Sequence, residues 1–206
     1  GYAPTLRHLN PQDKWEPSIK LTERGAADVD TSMTLDSEGR VWVAWRRLKG
    51  WGEKNPSKRL IGLGRLCMKL YDPHSGEVLS LGFDTKDEVP IPTKSQFERD
   101  FVPRPLDIEN LEERLQPLSP KMVVDGEGKI NLFFRWYRDA WEDIYTFWGC
   151  DVSRMIFEGE TWGPVEVVSH EAGFPQGHFD VKTSRNGQVW LAYQFSSKVL
   201  KSMVYR

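Results

Sequence analysis

Residues Arg135-Trp-Tyr-Arg-Asp-Ala-Trp-Glu-Asp143 set guanidinium, aromatic and carboxylate groups side by side. Sugars bind through this mixture: an aromatic face stacks on the apolar face of the ring, while Arg and Asp add charge-assisted hydrogen bonds to hydroxyls or to an acidic substituent. Arg46-Arg-Leu-Lys-Gly-Trp-Gly-Glu-Lys54 is a shorter version of it. The alternative for both stretches is structural, with Trp136 or Trp141 packed between elements and the charges in solvated pairs worth little. His178 is the best single candidate for acid–base work, since histidine is the side chain that changes charge near neutral pH. The structural alternative for it is a hydrogen-bonded histidine where two elements join. Glu142 and Asp143 could form a carboxylate pair, but neighbours on an extended strand point to opposite faces. His8, His74 and His170 complete no metal motif, and nothing in the chain implies a cofactor.

These residues have to be positioned by a pattern written three times: Asp36-Ser-Glu-Gly39-Arg-Val-Trp42-Val-Ala-Trp45, Asp125-Gly-Glu-Gly128-Lys-Ile-Asn131-Leu-Phe-Phe134 and Ser184-Arg-Asn-Gly187-Gln-Val-Trp190-Leu-Ala-Tyr193. Each copy reads as a hairpin: polar residues and a Gly make the turn, then β-branched and aromatic residues alternate as in a half-buried strand. A second motif, Trp15-Glu-Pro17-Ser-Ile-Lys-Leu-Thr22 and Trp162-Gly-Pro164-Val-Glu-Val-Val-Ser169, precedes the next hairpin Gly by 24 and 25 residues. Strand-like runs at Gly64–Tyr71 and Tyr145–Val152 lie between the two motifs. Four strands per unit, A to D, make the blade of a β-propeller.

The expected architecture is therefore all-β, with about three blade equivalents at residues 30–84, 118–169 and 176–206 plus 14–22, in a domain spanning 1–206 or in part of one. Gly39 and Gly128 stand 89 residues apart, but Gly128 and Gly187 only 59. Residues 85–117 account for the excess and read as an insertion with one short helix around Asp107–Leu115. The N-terminal motif is expected to be a lone strand D, paired with a strand C at Lys198–Tyr205 to close the array. Three blades are fewer than a propeller ordinarily has, so either a homodimer completes a six-bladed ring, the chain is part of a longer polypeptide, or it is an unusually small closed array.

Composition narrows the classes. A net charge of −2 argues against a general nucleic-acid binder, which needs a concentrated basic surface. A mean hydropathy of −0.55 and the lack of a long apolar run argue against membrane insertion. Cys67 and Cys150 fall in the third strands of successive blades, at similar positions and too far apart for a disulfide, so two free thiols are expected.

The hairpins and Trp-x-Pro strands resemble the sialidase-like and lectin-like family of β-propellers over about residues 14–84 and 118–206. The resemblance implies architecture, and by analogy an extracellular or periplasmic location. Two residues separate Asp36 from Gly39 where the sialidase box has one, and the Phe-Arg-Ile-Pro signature, the arginine triad and the Tyr/Glu nucleophile pair are absent. Sialidase catalysis is therefore not implied.

In a propeller, the D–A and B–C connections open on one face, so ligand groups should come from the start of strand A and the end of strand B. In register these are Asp30, Ser119 and His178, then Ser32, Lys121 and Asp180, and at the end of strand B Arg46, Arg135 and Gln194. Three functions follow. A glycan-binding module would use Asp30, Arg46, Lys121, Arg135, Trp136, Tyr137, His178 and Asp180. A polysaccharide lyase or glycoside hydrolase acting on an acidic sugar would use Arg135 or Arg46 to neutralise the carboxylate, His178 as base and Tyr137 as acid. A protein-interaction scaffold would present the 85–117 insertion to its partner.

Overall fold

The structure is a computed structural model, and it describes residues 3–22, 27–48, 64–79, 81, 117–138, 149–169 and 178–193. Among these are twelve strands and no helix. β1 (Thr5–Leu6) and β2 (Ile19–Lys20) form a small antiparallel pair. β3 (Ala27–Leu35), β4 (Val41–Leu48), β5 (Gly64–Asp72) and β6 (Glu77–Leu79) form a four-stranded meander, the first sheet. β7 (Pro117–Val124), β8 (Ile130–Arg138), β9 (Gly149–Phe157) and β10 (Glu166–Val167) repeat it as the second sheet. β11 (Phe179–Thr183) and β12 (Val189–Tyr193) pair as a further hairpin. Four-stranded antiparallel sheets packed face to face are the blades of a β-propeller. The expected helix in the 85–117 insertion and the expected strand at 198–205 lie outside the described residues.

The three A–B turns share one backbone design. Asp36, Asp125 and Ser184 each donate their N–H to the carbonyl four residues on, at 3.1, 3.0 and 2.8 Å. Gly39, Gly128 and Gly187 donate back across the turn with φ of 76°, 80° and 82°, the left-handed conformation in which a Cβ is unfavourable. The Asp side chain completes the turn. Asp36 Oδ1 accepts from the N–H groups of Glu38 and Arg40, and Oδ2 accepts from Arg40 Nε and Trp42 Nε1, each at 2.8 Å. Asp125 repeats this with Glu127, Lys129 and, in place of the indole, the Asn131 amide at 2.9 Å. Ser184 has no carboxylate to offer, and its hydroxyl donates to the Gln188 carbonyl instead.

Alternation in the strands puts apolar side chains on both faces of each sheet, so each sheet is covered twice. Between the first and second sheets lie Trp42, Ala44, Leu66 and Met68 from one side and Met122, Leu132, Phe134, Met155 and Phe157 from the other. On the far side of the second sheet, Val123, Phe133 and Val152 meet Phe179 and Val181 of β11. On the far side of the first, Val43, Trp45 and Cys67 meet Leu6 and Leu21 of the N-terminal pair. The stacking order is thus N-terminal pair, first sheet, second sheet, third hairpin. Each large side chain buried at these seams is worth about 1.5–3 kcal/mol.

Polar pins join the strands that meet along the inner edge. Ser32 Oγ accepts from the Met122 N–H at 3.0 Å, and Thr183 Oγ1 donates to the Val124 carbonyl at 2.5 Å. The turns touch as well, with the Gly126 N–H donating to the Gly187 carbonyl at 2.9 Å.

The N-terminal segment departs from expectation. β2 is not a lone strand D: β1 is its partner, with Leu6 opposite Ile19 and Thr5 opposite Lys20. An isolated bridge Leu9–Trp15 matches Phe157–Trp162 of the second sheet, so β1 holds the place of a strand C. The cysteines also depart. Cys67 stands opposite Trp45, while Cys150 stands opposite Tyr137, three positions further along than Phe134, the counterpart of Trp45. Cys67 is a buried free thiol, and the Cys150 side chain lies outside the described residues.

Candidate functional site

Both full sheets carry the same irregularity at the same end. Strand A advances three residues while strand B advances two, between Val29 and Ser32 in β3 and between Leu118 and Lys121 in β7. These are β-bulges, and each contains a non-glycine residue at positive φ: Asp30 at 56° and Ser119 at 50°. Such backbone costs about 1 kcal/mol or more and is found where a side chain must be re-aimed. Pro120 fits in the second bulge because it has no partner in the ladder there, so its missing N–H costs no bond.

The arginine at the end of strand B reaches across to each bulge. Arg46 Nη2 lies 3.2 Å from Asp30 Oδ2, with the two side chains 15% and 40% exposed. Arg135 Nη2 donates to Ser119 Oγ at 3.0 Å. In both arginines the Nε is buried. Two equivalent guanidiniums on adjacent blades are thus held with their stems packed down, at the end of the sheets opposite the A–B turns. An exposed ion pair such as Arg46–Asp30 adds little stability, about 1 kcal/mol at most, so its effect is orientation.

A second pair, missed in the sequence, lies beside the first. Arg47 forks onto Asp28 with Nε to Oδ1 at 2.9 Å and Nη2 to Oδ2 at 3.3 Å, and Thr22 Oγ1 donates to the same carboxylate at 3.4 Å. The Asp28 side chain is fully buried, and the Arg47 guanidinium lies 5.7 Å from the Trp45 ring centre. Its signal was the register itself, which puts Asp28 directly opposite Arg47.

The other predicted residues are placed as follows. Lys121 is half-buried, the first ladder residue after the bulge, opposite Phe133. Trp136 and Tyr137 belong to β8, opposite Asp151 and Cys150, and their side chains lie outside the described residues, as do Trp141, Glu142 and Asp143 altogether. His178 is exposed just before β11, and Asp180 is exposed on it, with Lys182 Nζ 3.9 Å away. Among the described residues no hydrogen bond or ion pair joins His178 to Asp30 or Asp180; Asp30 is engaged by Arg46 instead. Ser32, expected at the mouth, serves as an inter-blade pin. Among the described residues no cluster of three or more His, Cys, Asp and Glu could hold a metal, and no helix is long and apolar enough to cross a membrane.

No protein-family model and no curated protein matches the chain. Among solved structures, the chain is similar to a protein of unknown function from Dyadobacter fermentans DSM 18053, at 12% identity and a TM-score of 0.55, over 90% of this chain and 49% of that one. It is also similar to an endo-arabinase from Bacteroides thetaiotaomicron VPI-5482, at 15% identity and a TM-score of 0.49, over 89% and 57%. A polysaccharide lyase, Uly1, aligns at 10% identity and a TM-score of 0.45, over 97% and 44%. The chain spans about half the length of these structures, and at such identities the likeness is one of fold.

Proposed function

We propose that the end of the sheets carrying Arg46 and Arg135 is a glycan-binding mouth, and that its ligand is a polysaccharide with acidic substituents. The observation that supports this most is the repeated geometry: in two adjacent blades an arginine closes over a positive-φ bulge, at Asp30 in one and Ser119 in the other. Guanidinium forks match carboxylate and sulfate oxygens, and Trp136 and Tyr137 follow Arg135 in the sequence of β8, residue types that suit a sugar ring. Lys121, His178 and Asp180 complete the mouth as polar contacts. An extracellular or periplasmic site of action goes with this reading.

The test is retention on an immobilised uronate polysaccharide. Arg46→Ala and Arg135→Ala should each weaken binding about tenfold, as truncation of an interfacial arginine does, and Trp136→Ala should do the same. Undiminished retention of all three variants would remove the mouth from consideration. Release of ultraviolet-absorbing unsaturated ends, lost in His178→Ala, would instead establish the lyase alternative.

A further inference from the structure

The repeat register makes Trp190 the counterpart of Trp42, and Ala192 that of Ala44. Trp42 is 4% exposed because the next sheet covers it: the Phe157 ring lies 5.2 Å from it, and Trp162 lies 5.3 Å from Phe157 in turn. Trp190 is 64% exposed, and Ala192 is exposed beside it. At the other end of the stack, Leu9 and Trp15 hold the places of Phe157 and Trp162, since each pair is joined by the same kind of antiparallel bridge ahead of the same strand D. Leu9 is 48% exposed and Trp15 61%.

The chain therefore carries counterparts of residues from both halves of the seam between its first and second sheets, Trp190 and Ala192 on one side and Leu9 and Trp15 on the other, and both sets are exposed, the Arg7 guanidinium lying 5.7 Å from the Trp15 ring centre. Among the described residues the two sets do not meet within one molecule. The N-terminal pair turns Leu6 and Leu21 to the first sheet, the third hairpin is backed by the second sheet, and the outward faces of both remain in solvent.

We infer that the Trp190 face is a docking surface for a second copy of this chain, whose Leu9 and Trp15 cover Trp190 head to tail. The contact continues the stacking already present, with the N-terminal pair of the next molecule following the third hairpin as the second sheet follows the first. It is heterologous, two different patches meeting, so it predicts a defined cross-pairing.

The experiment combines light scattering with cysteine pairing on the 206-residue chain. The particle mass should exceed 23.9 kDa and rise with concentration, return to 23.9 kDa in Trp190→Glu, and stay raised in Trp190→Phe. On mild oxidation, with Cys150→Ser in both partners, Trp190→Cys mixed with a size-tagged Trp15→Cys should give the mixed disulfide; Cys67 is buried. A monomer at every concentration overturns the second copy as occupant and leaves the face to further blades of a longer polypeptide. Trp190→Cys pairing only with itself overturns the head-to-tail register. Assembly that survives Trp190→Glu removes this face from the contact.

Discussion

The Trp42 indole N–H donates to the Asp36 carboxylate at 2.8 Å, tying the third residue after the turn Gly back to the residue that opens the turn. Because Trp42 also lies against Phe157 of the next sheet, one carboxylate holds both a turn and a blade seam. In the second hairpin the Asn131 amide takes the place of the indole on Asp125. In the third the acid is a serine, and the tryptophan it would hold stands in solvent.

Removal of these acids should therefore be costly. Asp36→Ala and Asp125→Ala should each destabilise by about 2 kcal/mol, the value of several bonds to a charged acceptor, while Ser184→Ala should cost well under 1 kcal/mol. Urea denaturation of the three variants measures the contrast.

Acid should act through the same residues. Burial pushes the Asp36 carboxyl up, but the bonds from Trp42 and Arg40 together outweigh it and hold it below its ordinary value of 3.8. Burial and the opposing bonds from Asn131, Lys129 and Glu127 leave Asp125 lowered likewise. A depressed folded value means that the stabilisation is complete above the unfolded value and is lost as pH falls through the folded one. Melting temperature should thus decline as pH drops below 3.8, and Asp36→Asn with Asp125→Asn should flatten that decline while lowering stability at neutral pH.

Two glycines with the same backbone should differ. A Cβ on Gly187 would come within 2.3 Å of Gly126 Cα, whereas one on Gly39 meets nothing within 4 Å. Gly39→Ala should cost about 1 kcal/mol from its positive φ alone, and Gly187→Ala about 3 kcal/mol because the neighbouring turn must also move. Equal melting temperatures for the two variants would contradict the turn-to-turn contact.

The buried pair Asp28–Arg47 gives another stability expectation. Asp28→Ala should destabilise by about 3 kcal/mol by removing a fully buried carboxylate that two guanidinium nitrogens and the Thr22 hydroxyl bond to. Thermal unfolding checks it, and retention of polysaccharide by the folded fraction checks that the mouth is separate.

The two bulges permit a swap. Ser119→Asp should give Arg135 the carboxylate that Asp30 gives Arg46, and should weaken binding of an acidic polysaccharide several-fold with little change in stability. Titration calorimetry against the same polysaccharide reads this directly.

The hairpins were legible because turn chemistry is local: an Asp or Ser with a Gly three residues on marks each A–B connection without reference to the rest of the chain. The stacking of sheets followed from the repeat. What could not be read is non-local or lacks a residue signature. β1 is two residues long, and only its pairing with Ile19 and Lys20 marks it as a strand. The bulges hold Asp30 and Ser119 where a Gly would have announced positive φ. Ser32 was placed by the repeat register, which carries no sign that its hydroxyl accepts from the Met122 N–H of the next sheet. That Arg46 and Arg135 stand at equivalent places near the ends of β4 and β8 was legible from the repeat, but their contacts with Asp30 and Ser119 were not.

The extra residue in β3 and β7 has a consequence for how such a chain can diverge. Below it, the inward positions of strand B are buried against facing sheets, as Trp45 and its counterpart Phe134 are. Above it, the backbone has stepped out of phase, and a change of Asp to Ser at the bulge leaves the seam beneath untouched. The two ends of one strand can thus accumulate substitutions independently, which lets a repeated fold become unlike itself only where neighbouring sheets do not need it to stay the same.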